Sequence, residues 1–194
     1  MADKPNVIVI AGPNGAGKST SAPILLARKL KVEEFVNADV IAKGLSGFAP
    51  EKSAIAAGRI MLDRLKELAE RRATFAFETT LASRTFAHWL KELVSSGYEF
   101  HLFFLTIPTP DLSVARVAGR VMQGGHHVPE VDIRRRFDGG LRNFFSLYRP
   151  IATTWKMYDN AERKLRFIAM GSAEGTEAVA DRKRWDELKR SYSS

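Results

Sequence analysis

The chain has 194 residues, 45% hydrophobic and 27% charged, a balance that suits one globular domain and excludes a disordered, collagen-like or low-complexity chain. Thirty Lys and Arg against twenty-two Asp and Glu give a formal charge of +8, which favours an anionic partner or a solvated basic exterior. Cysteine is absent, so disulfides, Cys-ligated zinc and thiol nucleophiles drop out. No apolar run reaches the roughly 18 residues of a membrane span, and the first residues lack the basic-then-apolar layout of a secretory signal, so a cytoplasmic protein with no membrane partner is expected.

Residues 6–11, Asn-Val-Ile-Val-Ile-Ala, form an unbroken β-branched run and predict a central strand buried on both faces. A glycine-rich turn follows, and then Ala22, Leu25, Leu26 and Leu30 at helical spacing, with Pro23 tolerable in the first turns. A short strand is expected at 34–37, a loop at 43–50 and a long amphipathic helix at 51–71. Residues 74–77 predict a third strand ending in Glu78, residues 83–95 a helix stopped by Gly97, and residues 98–107 a longer strand closed by Pro108 and Pro110. That alternation argues an α/β fold, a parallel sheet flanked by helices on both faces.

The rhythm changes at 111–149, which carry seven arginines and no lysine, a Gly124-Gly125 pair and Pro129, and predict two helices joined by a turn. Strands are expected at 156–160 and 165–170, and a charged helix with a frayed end at about 174–192. The expected organisation is one domain: a core at about 5–110 and 150–171, an Arg-rich lid at 111–149 and a C-terminal tail from 172. Phe144, Phe145 and Tyr148 read as core rather than as base-stacking aromatics.

Gly12-Pro13-Asn14-Gly15-Ala16-Gly17-Lys18-Ser19-Thr20 matches the phosphate-binding loop pattern between a buried strand and a helix. Glycines let the backbone wrap a polyphosphate, Lys18 bridges phosphate oxygens, and Ser19 can hold Mg²⁺, so ATP and Mg²⁺ are the expected cofactors. A dinucleotide fingerprint fits less well, because Lys-Ser-Thr stands where the third glycine belongs. Asp39, past the second strand, is placed to take a hydroxyl proton, to order Mg²⁺ or to cap a helix. Glu78 and Thr80 end the third strand on the same edge and suit a substrate hydroxyl, a metal-bound water or a plain strand-terminal turn. Arg116 and Arg120, four apart on one helix face, can bracket the nucleotide and its γ-phosphate. Of Arg134, Arg135 and Arg136, one can enter the site while the others meet solvent. His126-His127, His88 and His101 show no zinc spacing, though a lid histidine can still bond a phosphate.

Taken together, Gly12 to Thr20, Asn37-Ala38-Asp39, Phe77-Glu78-Thr79-Thr80-Leu81, the run from Arg116 through Arg120, His126 and Pro129 to Glu130, and Tyr158-Asp159-Asn160 resemble the zeta-toxin family of P-loop kinases. Within it they resemble the short stand-alone bacterial branch labelled a predicted ABC-type ATPase, over about residues 7–170. The resemblance implies phosphorylation of a UDP-sugar such as UDP-N-acetylglucosamine at its 3′-hydroxyl, with an antitoxin protein as partner. It implies Lys18 as the phosphate lysine, Asp39 as base, Glu78 and Thr80 as acceptor-pocket residues and Arg120 with Arg116 as lid cations. Asp159 and Asn160 would line the adenine pocket. Larger members carry a second lid arginine where this chain has His126, leaving Arg134 or Arg136 as the substitute, and some relatives have Asp-x-Trp where Thr153 precedes Trp155. Leu45-Ser46-Gly47-Phe48 is not a full transporter signature. A polynucleotide or nucleoside kinase, which the +8 charge permits, and an ATP-hydrolysing switch with a protein partner are the rival readings.

Overall fold

A computed structural model describes residues 4–27, 32–47, 53–125 and 127–193. Its central strand is β1 (Asn6–Ala11), where Val7 to Ala11 have no solvent exposure, as a β-branched run covered on both faces requires. Around it lie β2 (Glu34–Val36), β3 (Phe75–Thr79), β4 (Glu99–Thr106), β5 (Thr154–Asp159), β6 (Arg166–Ser172) and β7 (Gly175–Val179). Among the described residues these seven strands form one sheet in the order β2-β3-β1-β4-β5-β6-β7. The pairs from β2 to β5 are parallel, whereas β5–β6 and β6–β7 are antiparallel. The sheet is therefore mostly parallel, as the alternation predicts, with antiparallel pairing added at the β6 and β7 side. Only residues 160–165 separate β5 from β6, too few for the dozen or so that a parallel crossover needs.

The helices are α1 (Lys18–Ala27), α2 (Ala38–Leu45), α3 (Ala54–Glu70), α4 (Thr85–Ser95), α5 (Pro110–Met122), α6 (Glu130–Asn143) and α7 (Arg182–Tyr192). Two corrections concern this order. The segment expected to be loop from 43 begins inside α2, whose start is fixed by Asn37: its Oδ1 accepts from the N–H of Asp39 at 2.8 Å and of Val40 at 3.3 Å. The charged tail is not helical throughout, because Gly175–Val179 adds an exposed edge strand before α7 begins. Leu30 and residues 48–50 of the expected loop lie outside the described residues.

The two helices expected within 111–149 are α5 and α6. Helices α5 and α6 carry their own small apolar cluster, in which Val117, Val128 and Ile133 pack with Val114 and Val121. Beyond α6 the chain continues through a π-helical turn, Phe144–Tyr148, and a 3₁₀ turn, Arg149–Ile151. That segment drives aromatic side chains into the main core. Phe144 lies 4.9 Å from Phe104, 5.1 Å from Phe145 and 5.8 Å from Trp155, centroid to centroid. Trp155 in turn stacks on Trp185 of α7 at 5.3 Å. Among the described residues no helix is long and apolar enough to cross a membrane.

Phe144 has no exposed surface and joins β4, β5 and the lid root. Phe144→Ala is expected to cost about 3–5 kcal/mol, the range for emptying a buried aromatic site, read as a lower midpoint in urea unfolding.

Candidate functional site

The carboxyl ends of β1, β3 and β2 meet beneath the lid. β1 hands over to the phosphate loop at Gly12, whose φ of +141° and position leave no alternative residue: a Cβ there would stand 2.1 Å from the Leu105 carbonyl oxygen. The loop's last glycine, Gly17, has φ +80°, and a Cβ on it would lie 2.5 Å from Asn160 Nδ2. That amide donates to the Ala16 carbonyl at 2.8 Å, so the segment after β5 rests directly on the phosphate loop.

Lys18 opens α1 and is buried. Its Nζ donates to the carbonyls of Gly12 at 2.9 Å and Pro13 at 3.0 Å, and stands 3.9 Å from Glu78 Oε1. Burial pushes the ammonium below its ordinary pKa, while Glu78 and then Asp39 oppose that shift. Glu78 is the common acceptor here. Ser19 Oγ donates to Glu78 Oε2 at 2.8 Å and Asn37 Nδ2 donates to the same oxygen at 2.8 Å. Asp39 stands in the first turn of α2, half exposed, with Oδ2 3.9 Å from an Arg120 terminal nitrogen. Thr80 follows β3 and its Oγ1 accepts from the Ala82 N–H at 3.4 Å.

The paired lid arginines do different things. The Arg116 fork donates to three carbonyls, Gly15 at 3.2 Å, Asn160 at 3.0 Å and Ala161 at 2.6 Å, and the Ser113 hydroxyl donates to the Asn14 carbonyl. The root of α5 is thereby stapled to the phosphate loop. One turn on, Arg120 faces Asp39. Arg134 does not reach the pocket lining: it is engaged by Asp111 at 2.6 Å and Glu130 at 2.8 Å on the lid itself. Arg136 lines the pocket instead. Asp159 does not open on either cavity described below, since Oδ1 accepts from the Ala161 N–H at 2.7 Å and the side chain is buried, whereas Asn160 lines one of them. His126 lies outside the described residues.

Two cavities converge on this cluster. The smaller, about 330 Å³, is bounded by Gly15, Gly17, Ser19, Thr20, Arg120 and Arg163. The larger, about 440 Å³, extends under α3 past Thr80, Arg59 and Arg136 to an apolar wall of Ile55, Leu62 and Phe86. Asn14, Lys18, Asp39 and Glu78 line both. A polyphosphate suits the smaller one by its loop amides, its lysine and a helix N-terminus. The Asn14 side chain adds a second sign: its Oδ1 is buried without a hydrogen-bond partner at the cavity wall, and the amide can present either end to a ligand. Ser19, Glu78 and Asp39 are hard oxygen donors of the kind Mg²⁺ takes when phosphates and water complete its shell. Among the described residues no group of three or more His, Asp or Glu forms a self-sufficient metal cage.

Arg59 and Arg163, which line these cavities, carry no signal in the sequence: one sits within an amphipathic helix and the other in a polar turn. Asn37 belongs to the Asn37-Ala38-Asp39 motif, but its bond to Glu78 joins residues 41 apart in the chain, which no local pattern reveals.

The family model described as AAA domain matches residues 7–139. An uncharacterized protein of Haemophilus influenzae is 27% identical over 130 residues, 67% of this chain and 91% of its own length. The crystal structure of AvrRxo1-ORF1:-ORF2 with ATP is similar with a TM-score of 0.73 at 16% identity, over 100% of this chain, which spans 64% of the matching chain there. The PezAT chromosomal toxin-antitoxin system of Streptococcus pneumoniae gives a TM-score of 0.67 at 16% identity, over 100% of this chain and 80% of that one. At such identities the likeness concerns the fold.

Because Arg116 spends its fork on three backbone carbonyls, Arg116→Ala should destabilise the nucleotide-free protein by about 2 kcal/mol, the scale of hydrogen bonds from a charged donor. Urea unfolding measures this, and Arg116→Lys should not restore it, since an ammonium cannot span the three acceptors.

Proposed function

The chain belongs to the AAA-domain family, and we propose that it is an ATP-dependent kinase of zeta-toxin type that phosphorylates a hydroxyl of a nucleotide-like acceptor, with a UDP-sugar such as UDP-N-acetylglucosamine as the favoured substrate. One observation carries this reading: the phosphate cavity and the larger cavity meet at Lys18, Asp39 and Glu78, so a donor and an acceptor bound side by side would present phosphate and hydroxyl to the same carboxylates. A protein that only hydrolyses ATP needs no second cavity of about 440 Å³ opening on the phosphate end.

In the proposed reaction the acceptor hydroxyl lies against Asp39 with its ring toward Glu78, Thr80 and the apolar wall. Its oxygen attacks the γ-phosphorus in line, the new O–P bond forms as the bond to the β-phosphate oxygen breaks, and ADP leaves with that electron pair. The hydroxyl proton passes to the Asp39 carboxylate. Lys18 and Arg120, which both line the phosphate cavity, stabilise the charge on the transferring group, while the loop amides hold the β-phosphate. Ser19 and Glu78 would hold Mg²⁺, which when bound offsets the charge on the β- and γ-phosphates. Glu78 also keeps Ser19 and Asn37 aligned, so the starts of α1 and α2 do not have to be ordered again at each turnover. An antitoxin protein as partner follows from the same reading and has its own test, co-purification of the chain with a neighbouring small protein.

Asp39→Asn is expected to leave ATP binding within about threefold and to lower transfer by 10²–10⁴-fold, the usual worth of a general base. Lys18→Ala is expected to abolish both binding and transfer. The direct measurement is incubation with γ-labelled ATP and a panel of UDP-sugars, nucleosides and short oligonucleotides. Label in a UDP-sugar bears the proposal out; label only in an oligonucleotide 5′ end makes it a polynucleotide kinase; ATP turnover with no labelled acceptor makes it a switch. An Asp39→Asn variant of full activity removes the base assignment.

A further inference from the structure

Helix α7 lies beyond residue 139, where the family match ends, and contributes nothing to the lining of either cavity. It nevertheless reaches the nucleotide site through one side chain. Arg184, 19% exposed, places Nε 3.7 Å from Oδ2 of Asp159, a carboxylate only 5% exposed at the end of β5. One of its terminal nitrogens donates to the Ile107 carbonyl at 3.2 Å, just past the end of β4, and the other stands 3.6 Å from Glu187 on its own helix. Asp159 passes the constraint on. Its second oxygen accepts from the Ala161 N–H, the Asn160 N–H donates to the Thr106 carbonyl, and the Asn160 amide donates to Ala16 in the phosphate loop. The same short segment supplies two of the three Arg116 acceptors and carries Arg163 into the nucleotide cavity.

A carboxylate this buried is tolerable only while a cation answers it, and Arg184 is the cation in contact. Without that partner the buried Asp159 carboxylate is driven to turn towards water, which loosens its grip on the Ala161 N–H. The segment that rests on the phosphate loop then loses its outer anchor. The rest of α7 is held independently, by Trp185 stacked on Trp155, by Leu188 in the core and by the Tyr192 hydroxyl donating to Asp138 at 3.0 Å. The helix therefore stays docked when Arg184 alone is changed.

We propose that Arg184 is a positioning residue for the nucleotide: acting through Asp159, it fixes residues 160–163 against the phosphate loop, so that the C-terminal helix sets ATP affinity from outside the site. This inference rests on the ATP-binding part of the function proposed above and is indifferent to the acceptor.

The experiment is titration of the full chain with a fluorescent ATP analogue, alongside thermal unfolding of the nucleotide-free protein. Arg184→Ala is expected to raise the dissociation constant about tenfold, and Arg184→Lys, which keeps a cation beside Asp159, to recover most of the loss. Leu188→Ala loosens the same helix without touching the relay, so it should lower the unfolding temperature and leave the dissociation constant within about twofold. The proposal is overturned if folded Arg184→Ala binds like wild type, or if Leu188→Ala weakens binding as much as Arg184→Ala does. A wild-type chain that binds the analogue but labels no acceptor sinks the kinase reading and leaves this one standing; a wild-type chain that binds no analogue sinks both.

Discussion

The Glu78 carboxylate accepts from the Ser19 hydroxyl and the Asn37 amide while standing 3.9 Å from the buried Lys18 ammonium. Lys18 and Ser19 are neighbours at the start of α1 and Asn37 caps α2, so one anion at the end of β3 holds two separate stretches of chain in register. The arrangement is also an electrostatic necessity. Lys18 is stripped of water and its pKa falls for that reason, and without Glu78 and Asp39 nearby the ammonium would be harder still to keep charged. A phosphate tail entering the smaller cavity finds a cation that is desolvated and already aimed, which is the condition under which charge stabilisation is strong.

A second constraint follows from the steric side. Between Gly12 and Leu105 there is no room for a side chain, and between Gly17 and Asn160 there is room only for an amide nitrogen. The phosphate loop is thus pressed between β4 and the segment after β5, with Arg116 and Ser113 closing it from the lid. In the proposed reaction, closure of α5 over the site would therefore have to pivot beyond this staple. Gly119 and Gly124 offer the freedom: a Cβ at either would meet nothing within 4 Å, and Gly124 already adopts φ +79°. Arg120 lies between those two glycines and is the cation such a pivot would swing over the γ-phosphate.

How much of this the sequence foretold depended on whether the signal was local. The phosphate loop was legible because strand, glycines and helix are contiguous, and the core role of Phe144, Phe145 and Tyr148 because large aromatics of that run have nowhere else to go. Helix α2 was missed because Gly44, Gly47 and Pro50 outweighed a single Asn cap, yet the Asn37-Ala38-Asp39 start with its first-turn carboxylate was the readable cue. β7 was missed because Gly-Thr-Glu-Ala-Val, nearly all exposed on an edge, carries no apolar alternation. The hairpin between β5 and β6 could have been inferred from the shortness of 160–165 alone.

Side-chain roles were less legible than elements, and the two arginine pairs show why. Arg116 and Arg120 share a helix face, so spacing predicts one function for both; the structure separates them because carbonyls of Gly15, Asn160 and Ala161, distant in sequence, happen to face only the first. Arg134 and Arg136 differ by two positions and so point apart on α6. Asp111 and Glu130 neutralise the outward one, leaving Arg136 as the member of the pair that lines the larger cavity. In each case the deciding partner is an acceptor on another element, whether a backbone carbonyl that composition cannot reveal or a carboxylate whose position depends on the fold. A basic excess of +8 consequently says little about the site until each guanidinium has been matched to what it already holds.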